Sequence, residues 1–256
     1  MFAYGQTGAG KTFTMYGVPG NEGTAPRTIR EVYRVTEEGK SRFDYTVTGS
    51  MLELYQNELV DLLSKGQDIA ASKSKLSIRT EKSGAVTIEN LTEQECAGAE
   101  ELSALLERGN EQRTVASTAM NSESSRSHLV LLIRITSINK ETKERLQGKI
   151  LLCDLAGSER LKKSQVTDEM QKEAIQINKS LTALGDVIES LTKSAKVVPY
   201  RNHKLTQLMQ DSLGGSAKTL MFVNCSPANS NMDETIMALK YAQRAKTIKN
   251  DAKKKS

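Results

Sequence analysis

The segment Gly5-Gln6-Thr7-Gly8-Ala9-Gly10-Lys11-Thr12 decides the fold, because it satisfies the pattern G-x-x-x-x-G-K-[ST]. Apolar residues 1–4 precede it as the end of a buried strand, and residues 13–16 follow it as a short helix. Glycines let backbone N–H groups close around phosphates, and the start of the helix adds the positive end of its dipole. The Lys11 amine would then reach the β- and γ-phosphates of a nucleotide, and the Thr12 hydroxyl would bind Mg²⁺. The segment therefore predicts a nucleotide-phosphate site.

A second, acidic motif lies at residues 153–159, Cys-Asp-Leu-Ala-Gly-Ser-Glu. Asp154 ends an apolar strand, the position where P-loop enzymes hold Mg²⁺ directly or through water. Gly157 allows a backbone N–H to approach the γ-phosphate, because no Cβ stands in its way. For Asp154, the alternative is an ordinary strand-ending residue that caps a turn.

A third motif, residues 121–128, has the sequence Asn-Ser-Glu-Ser-Ser-Arg-Ser-His. In a protein that already carries a P-loop, its serines, Arg126 and His128 predict a mobile sensor of the γ-phosphate. The alternative is a polar, serine-rich loop before a strand.

The three motifs, in this order, resemble the P-loop, switch I and switch II of the kinesin motor domain. The resemblance continues to the C-terminal part of the chain through residues 177–181, 199–206, 211–215 and 241–246. It implies an α/β fold of the P-loop NTPase class, with a central mostly parallel or mixed β-sheet and helices on both faces. It also implies a microtubule-dependent motor that hydrolyses ATP with Mg²⁺. Residues 1–250 would form the motor domain and residues 251–256 a basic tail.

The resemblance assigns the nucleotide site residue by residue. The implied catalytic set is Ser124, Ser125, Arg126, Asp154, Gly157 and Glu159. The implied nucleotide-binding set is Gly5, Gln6, Thr7, Gly8, Ala9, Gly10, Lys11, Thr12 and Phe13. The implied Mg²⁺ set is Thr12, Ser125 and Asp154, the last through water.

Within these sets, Ser124 would lie near the attacking water, and Ser125 would contact Mg²⁺. Arg126 would pair with Glu159 when both loops close on ATP, an ordering driven by the γ-phosphate. Phe13 occupies the position of an aromatic side chain that packs on adenine, with ordinary core packing as the alternative.

The microtubule-binding segment is predicted from charge and from the resemblance together. Residues 193–218 hold five basic side chains and only Asp211 as an acidic one, a local excess of +4. A basic patch would steer association with the acidic surface of tubulin. The alternative is a basic face that is solvated and binds no partner. The implied contacts are Lys193, Lys196, Arg201 and Lys204. His203 stands where many relatives have Ser.

The composition excludes other classes of protein. Hydrophobic residues are 38% and charged residues 26% of 256, so the chain is not mainly disordered. Apolar runs are far shorter than the ~20 residues of a membrane helix, and no signal peptide is visible. Aromatic residues are 4%, with no Trp, which disfavours nucleic-acid binding. Cys96, Cys153 and Cys225 are odd in number and widely separated, which fits a reducing cytosol. Together with the resemblance to kinesins, which implies binding to microtubules, these features lead us to expect a cytoplasmic protein on microtubules.

Residues 200–209 and 218–224 are most similar to C-terminal-motor, minus-end-directed kinesins such as the kinesin-like calmodulin-binding proteins. This similarity implies regulation by calmodulin and a coiled-coil homodimer, both through segments outside this chain. A non-motile, calmodulin-regulated microtubule-binding module is the alternative function. A guanine-nucleotide switch is disfavoured, because neither Asn139-Lys140 nor Asn178-Lys179 continues as x-Asp.

The chain also departs from the family pattern at its start. Motors of this family carry a long segment before the P-loop, including a central strand and an adenine contact, and neither is present here. We therefore expect an N-terminally truncated motor domain that exposes an unpaired sheet edge.

Hydrophobic periodicity predicts the remaining elements. A long amphipathic helix is expected at 170–191, with shorter helices at 99–108, 204–213 and 233–249. The last would present Ile236, Leu239, Ala242 and Ala245 on one face. Strands are expected at 129–138 and 146–154, and a helical turn at 58–63.

Overall fold

The computed structural model describes residues 1–64, 75–119, 124–159 and 168–248, with the backbone alone at 116–119, 124 and 168–174. Residues 65–75 are polar and have no strong hydrophobic period, which predicts a loop; all but the last of them lie outside the described residues. The same is true of the first residues of the switch I motif and of the basic tail at 251–256.

The described elements alternate strands and helices along the chain. The strands are β1 (Phe2–Gly5), β2 (Gly17–Val18), β3 (Asn21–Glu22), β4 (Phe43–Tyr55), β5 (Glu58–Asp61), β6 (Ser77–Thr80), β7 (Val86–Glu89), β8 (Gln94–Glu95), β9 (Ser127–Asn139), β10 (Arg145–Asp154) and β11 (Met221–Asn224). The helices are α1 (Lys11–Tyr16), α2 (Thr24–Gly39), α3 (Ala99–Ala119), α4 (Asp168–Thr192), α5 (Lys204–Leu208), α6 (Gln210–Leu213) and α7 (Met232–Lys246).

Seven of the described strands form a mixed sheet in the order β11-β1-β10-β9-β4-β5, with β8 paired to β4. Strand β1 is parallel to both β10 and β11, and the remaining pairs are antiparallel. Because β1 and β10 run in the same direction, the P-loop after Gly5 and the acidic motif at Asp154 emerge at the same edge. The sheet thereby brings the first two motifs together.

Each face of the sheet is covered by helices, as predicted. Leu184, Val187 and Ile188 of α4 pack in one core with α5, α6 and α7. Met15 and Ile29 lie in the opposite core with α3. Each fully buried side chain of this kind contributes about 1.5–3 kcal/mol. Among the described residues, no helix combines the length and the apolar character that a membrane span requires.

Helix α3 is longer than predicted, because Gly109 does not end it. A Cβ at Gly109 would overlap the Met51 side chain of β4. The glycine therefore permits close packing of the helix on the sheet, and α3 continues to Ala119. The prediction that this helix ends at residue 108 is therefore wrong.

Three other local predictions are also wrong. Residues 58–61 form strand β5, because Gln56 and Asn57 adopt positive φ angles of 45° and 69° and close a tight hairpin with β4. The helix expected at 204–213 is divided into α5 and α6 at Met209. Helix α7 buries Ala238 and Tyr241, while Ile236 and Leu239 of the predicted face are 42% and 53% exposed. The Tyr241 ring stacks on Tyr4 of β1, and this contact selects the buried face.

Strand β11 lies at the edge of the described sheet, and its side chains are all partly exposed. An unpaired edge leaves backbone groups open to water and to other chains. We expect the chain by itself to unfold with a midpoint below about 45 °C, at the low end for domains of this size. A cooperative thermal transition above that temperature, with normal ATP hydrolysis, would contradict this prediction.

Candidate nucleotide site

The P-loop closes on itself through backbone and lysine contacts. Gly10 has φ +93°, a conformation that residues with a Cβ rarely adopt, and helix α1 begins directly after it. The Lys11 amine donates to the Gln6 carbonyl oxygen at 3.0 Å and is 7% exposed. Burial lowers the pKa of Lys11, while Asp154 and Glu159 oppose that shift. The lysine is therefore a confined cation beside the loop.

Thr12 and Asp154 meet, as their motifs predict. The Thr12 hydroxyl donates to Asp154 Oδ2 at 2.7 Å. The other oxygen, Oδ1, is buried and has no hydrogen-bond partner among the described residues. Burial raises the pKa of the Asp154 carboxyl, while the hydrogen bond from Thr12 and nearby Arg113 and Lys11 lower it. A hydroxyl beside a carboxylate with an unused oxygen is a donor set suited to Mg²⁺, and a bound cation would favour the charged carboxylate.

The two switch segments contact each other and the P-loop. Gly157 N–H donates to the Ser125 carbonyl oxygen at 2.9 Å. The Glu159 carboxylate accepts from Thr7 N–H at 2.8 Å and from the Thr7 hydroxyl at 2.6 Å. A Cβ at Gly157 would overlap the Thr7 hydroxyl and the Glu159 carboxylate. The Arg126–Glu159 pair expected in the ATP-closed state stays a prediction.

A buried ionic group behind switch I was missed by sequence reasoning. Arg113 Nε lies 3.1 Å from Glu53 Oε1, and an Arg113 terminal nitrogen donates to Ser127 Oγ at 3.0 Å. The Ser127 hydroxyl donates to the same glutamate. All three residues are at most 7% exposed. The group fixes the start of β9 directly after Arg126, and a Glu within the apolar run of β4 was its one sequence signal.

Two further positions around the P-loop refine the predicted set. Phe13 is 50% exposed, which rules out the core-packing alternative and leaves its ring open to a ligand. Asn224, which was not predicted, donates from Nδ2 to Thr14 Oγ1 at 2.8 Å, and its Oδ1 is buried without a partner among the described residues. The side chain of Ser124 lies outside the described residues.

The position of His128 does not fit the role predicted for it. Its imidazole is 3% exposed and bonds to the Ala156 N–H at 3.0 Å and to Ser180 Oγ at 2.8 Å. A ring committed to two buried partners is not a mobile sensor of phosphate. The structure therefore corrects the prediction: His128 joins β9 to switch II and to α4.

Burial of His128 makes the stability of the fold depend on pH. Desolvation, assisted by His203, Arg113 and Lys11, lowers the pKa of His128 from 6.5 to about 3. Below pH 6.5 the unfolded chain binds a proton that the folded chain rejects, so stability is lost as pH falls from 6.5 toward 3. Between pH 6.5 and 5.5, we expect the unfolding free energy to fall about 1 kcal/mol more than in His128→Gln. Urea titrations measure this difference, and equal pH slopes in both proteins would contradict it.

Known proteins match this chain over almost its whole length. The profile of the kinesin motor domain matches residues 1–248. The chain belongs to the kinesin motor-domain family. Kinesin-like protein KIN-14E of Arabidopsis thaliana is 52% identical over 254 residues, which are 99% of this chain and 20% of that protein. The chain thus spans about a fifth of the length of this curated relative.

Solved kinesin structures share the fold. The structure of a fast kinesin has a TM-score of 0.90 and 41% identity, covering 99% of this chain and 71% of that one. The C-terminal motor and motor homology domain of Kar3Vik1 gives 0.83 and 39%, covering 95% and 62%. A KIF14 dimer in complex with a microtubule gives 0.87 and 37%, covering 98% and 72%.

The basic segment of this kinesin domain is less positive than its sequence suggests. Lys193 pairs with Glu189, and Lys204 Nζ lies 3.3 Å from Glu58, which is distant in sequence. Asp211 instead pairs with Lys149 of β10. Arg201 and Lys196 are exposed and have no ion-pair partner among the described residues. The uncompensated positive charge of the segment therefore lies at these two positions and at Lys218, which is also exposed and has no ion-pair partner among the described residues.

His203 has a local structural role. Its Nδ1 accepts from the Leu205 N–H at 3.1 Å and caps the first turn of α5, a task that a Ser hydroxyl performs at many helix starts. Burial lowers the pKa of His203, with Lys179 and Lys204 adding to the shift, which favours the neutral ring that the cap needs.

Proposed function

We propose that this domain hydrolyses ATP with Mg²⁺ and couples the reaction to movement along microtubules. The observation that carries the proposal is the contact between Thr12 and Asp154, with the second Asp154 oxygen buried and unused. It joins the phosphate loop to the acidic motif at one point, as a Mg²⁺–nucleotide site requires.

Each residue has a defined task in this proposal. Lys11 neutralises charge on the β- and γ-phosphates, and Thr12, Ser125 and Asp154 hold Mg²⁺, which supplies further charge neutralisation. Phe13 packs on adenine. When ATP is bound, the Gly157 N–H donates to the γ-phosphate.

The switch residues act on the attacking water in the same proposal. Ser124 orients that water beside the γ-phosphate. Glu159 exchanges its Thr7 contact for Arg126, and this exchange closes the two segments over the nucleotide.

The proposed track is the microtubule, contacted by Lys193, Lys196, Arg201 and Lys204. The measurement that tests the whole function is phosphate release by the full-length protein with and without polymerised tubulin. Stimulation by microtubules supports a motor ATPase. Binding to microtubules without stimulation would favour the non-motile module instead.

The contacts of the basic segment predict a ranking of two variants. Arg201→Ala should weaken microtubule affinity about three- to tenfold at low salt, because Arg201 has no ion-pair partner among the described residues. Lys204→Ala should weaken it less, since Glu58 already compensates part of that charge. Co-sedimentation at two ionic strengths measures both, and the Arg201 effect should shrink with added salt. Arg42→Ala, an exposed arginine before β4, is the matched control; an equal loss there would contradict the ranking.

We also propose minus-end-directed movement in the cytoplasm, on the similarity in sequence to C-terminal-motor kinesins. Regulation by calmodulin and homodimerisation through a coiled coil belong to the same proposal and would require segments outside this chain. Gliding of polarity-marked microtubules over the immobilised full-length protein tests the direction, and plus-end movement would refute it.

A further inference from the structure

The His128 side chain lies on a continuous path of hydrogen bonds between switch II and helix α4. Ala156 N–H donates to Nδ1 at 3.0 Å, and Nε2 lies 2.8 Å from Ser180 Oγ. The Ser180 hydroxyl in turn donates to the Ile177 carbonyl oxygen at 2.7 Å. His128, Ala156 and Ser180 are each at most 3% exposed, so water does not compete for these bonds.

The direction of every bond in this path follows from the groups that meet. A backbone N–H can only donate, so Nδ1 of His128 carries the lone pair and Nε2 carries the proton. The single hydroxyl proton of Ser180 goes to Ile177, so Ser180 accepts from Nε2. The path is complete only with a neutral imidazole, the form that its buried position favours.

The bond between Ser180 and His128 also differs from the other described contacts of α4. Side chains of α4 are described from Ile175 onward, and within that part Ser180 alone forms a hydrogen bond to a side chain of another strand or helix, since the partner of Glu189 is Lys193, directly after the end of α4. The apolar contacts of Leu184, Val187 and Ile188 hold the helix on the sheet but have no directional preference. The His128–Ser180 bond therefore fixes where α4 lies relative to the residue before Gly157.

We propose that His128 is a positioning residue that couples the switch II segment to α4. Displacement of the backbone at Ala156, next to the γ-phosphate contact proposed for Gly157, is carried through the imidazole to Ser180 and moves the helix. The inference rests on the proposed function, because it names the contact that would connect the proposed nucleotide site to the proposed microtubule-binding elements.

The test removes the α4 end of the path in the full-length protein. Ser180→Ala should reduce the ratio of microtubule affinities measured with a non-hydrolysable ATP analogue and with ADP by about tenfold. A general loss of folded protein would lower both affinities equally and leave the ratio unchanged. Ser190→Ala is the matched control, because Ser190 on the same helix bonds to the Asp186 carbonyl oxygen at 2.8 Å without an imidazole partner. Its ratio should stay within twofold of the wild type.

A second variant removes the other half of the same contact. His128→Asn retains an acceptor near the Nδ1 position for Ala156 but is too short to reach Ser180. It should lower the ratio as Ser180→Ala does, and the double variant should lose no more than either single one, because both break one connection.

The outcomes separate the two proposals. If the microtubule affinity of the wild-type protein were the same with the ATP analogue and with ADP, the proposed function would be refuted. A nucleotide-dependent wild type whose ratio survives in both Ser180→Ala and His128→Asn would refute the coupling role alone. Additive losses in the double variant would also refute it, since they would mean two separate routes.

Discussion

ATP turnover should fall by about 10²–10³ in Lys11→Ala, the larger of the two strongest effects that the structure predicts. The Lys11 amine is confined beside the P-loop and is the cation expected to meet the charge of the β- and γ-phosphates. Its one described hydrogen bond is to a backbone carbonyl oxygen, so its removal should leave the fold intact. Steady-state phosphate release and the affinity for a fluorescent ATP analogue measure the loss.

A matched lysine shows whether the Lys11 effect is specific. Lys140, in the turn after β9, donates in the same way to the Lys40 carbonyl oxygen at 2.7 Å. Lys140→Ala should leave turnover within twofold of the wild type. If Lys11→Ala were as active as Lys140→Ala, the phosphate role of Lys11 would be wrong.

Gly157→Ala should reduce the turnover of ATP by roughly 10² while ATP still binds. The added methyl group would overlap the Thr7 hydroxyl and the Glu159 carboxylate, so this contact between switch II and the P-loop would have to rearrange beside the N–H that is proposed to donate to the γ-phosphate. Lys11 and Thr12 are left in place, and nucleotide affinity should change much less than turnover. Single-turnover kinetics distinguish the binding step from the chemical step.

Gly148→Ala is the corresponding control, because Gly148 lies on β10, the strand that leads to the acidic motif, and a Cβ there meets nothing within 4 Å. That variant should hydrolyse ATP like the wild type. A comparable loss in both variants would mean that an added methyl group harms the protein at either glycine, and the specific role of Gly157 would be refuted.

The contiguous motifs could be predicted well from the sequence, because the residues that define each motif are neighbours along the chain. Lys11, Thr12 and Asp154 meet as expected once β1 and β10 are parallel neighbours. The amphipathic helix α4 was also predicted, since Leu181, Leu184 and Ile188 repeat at helical spacing and are buried. Local pattern and strand order were sufficient for these features.

Contacts between residues that are far apart in the sequence could not be predicted, because these contacts depend on strand register. Ser127 and Glu53 are 74 positions apart, and His128 and Ser180 are 52 apart. Nothing local to His128 indicates that its ring faces α4 and not a phosphate. The end of α3 was predicted wrongly for a related reason, since the tight packing of Gly109 against Met51 is visible only when α3 lies on β4.

The buried trio of Arg113, Glu53 and Ser127 constrains how this domain can vary over evolutionary time. Removing one member of a buried ion pair leaves an uncompensated charge and costs about 3–5 kcal/mol, a large share of the ~5–15 kcal/mol that stabilises a typical domain. Exchange of both ionic partners for apolar residues of similar volume carries no such penalty. Positions 53 and 113 should therefore be inherited as one unit, with lineages that abandon the arginine abandoning the glutamate as well.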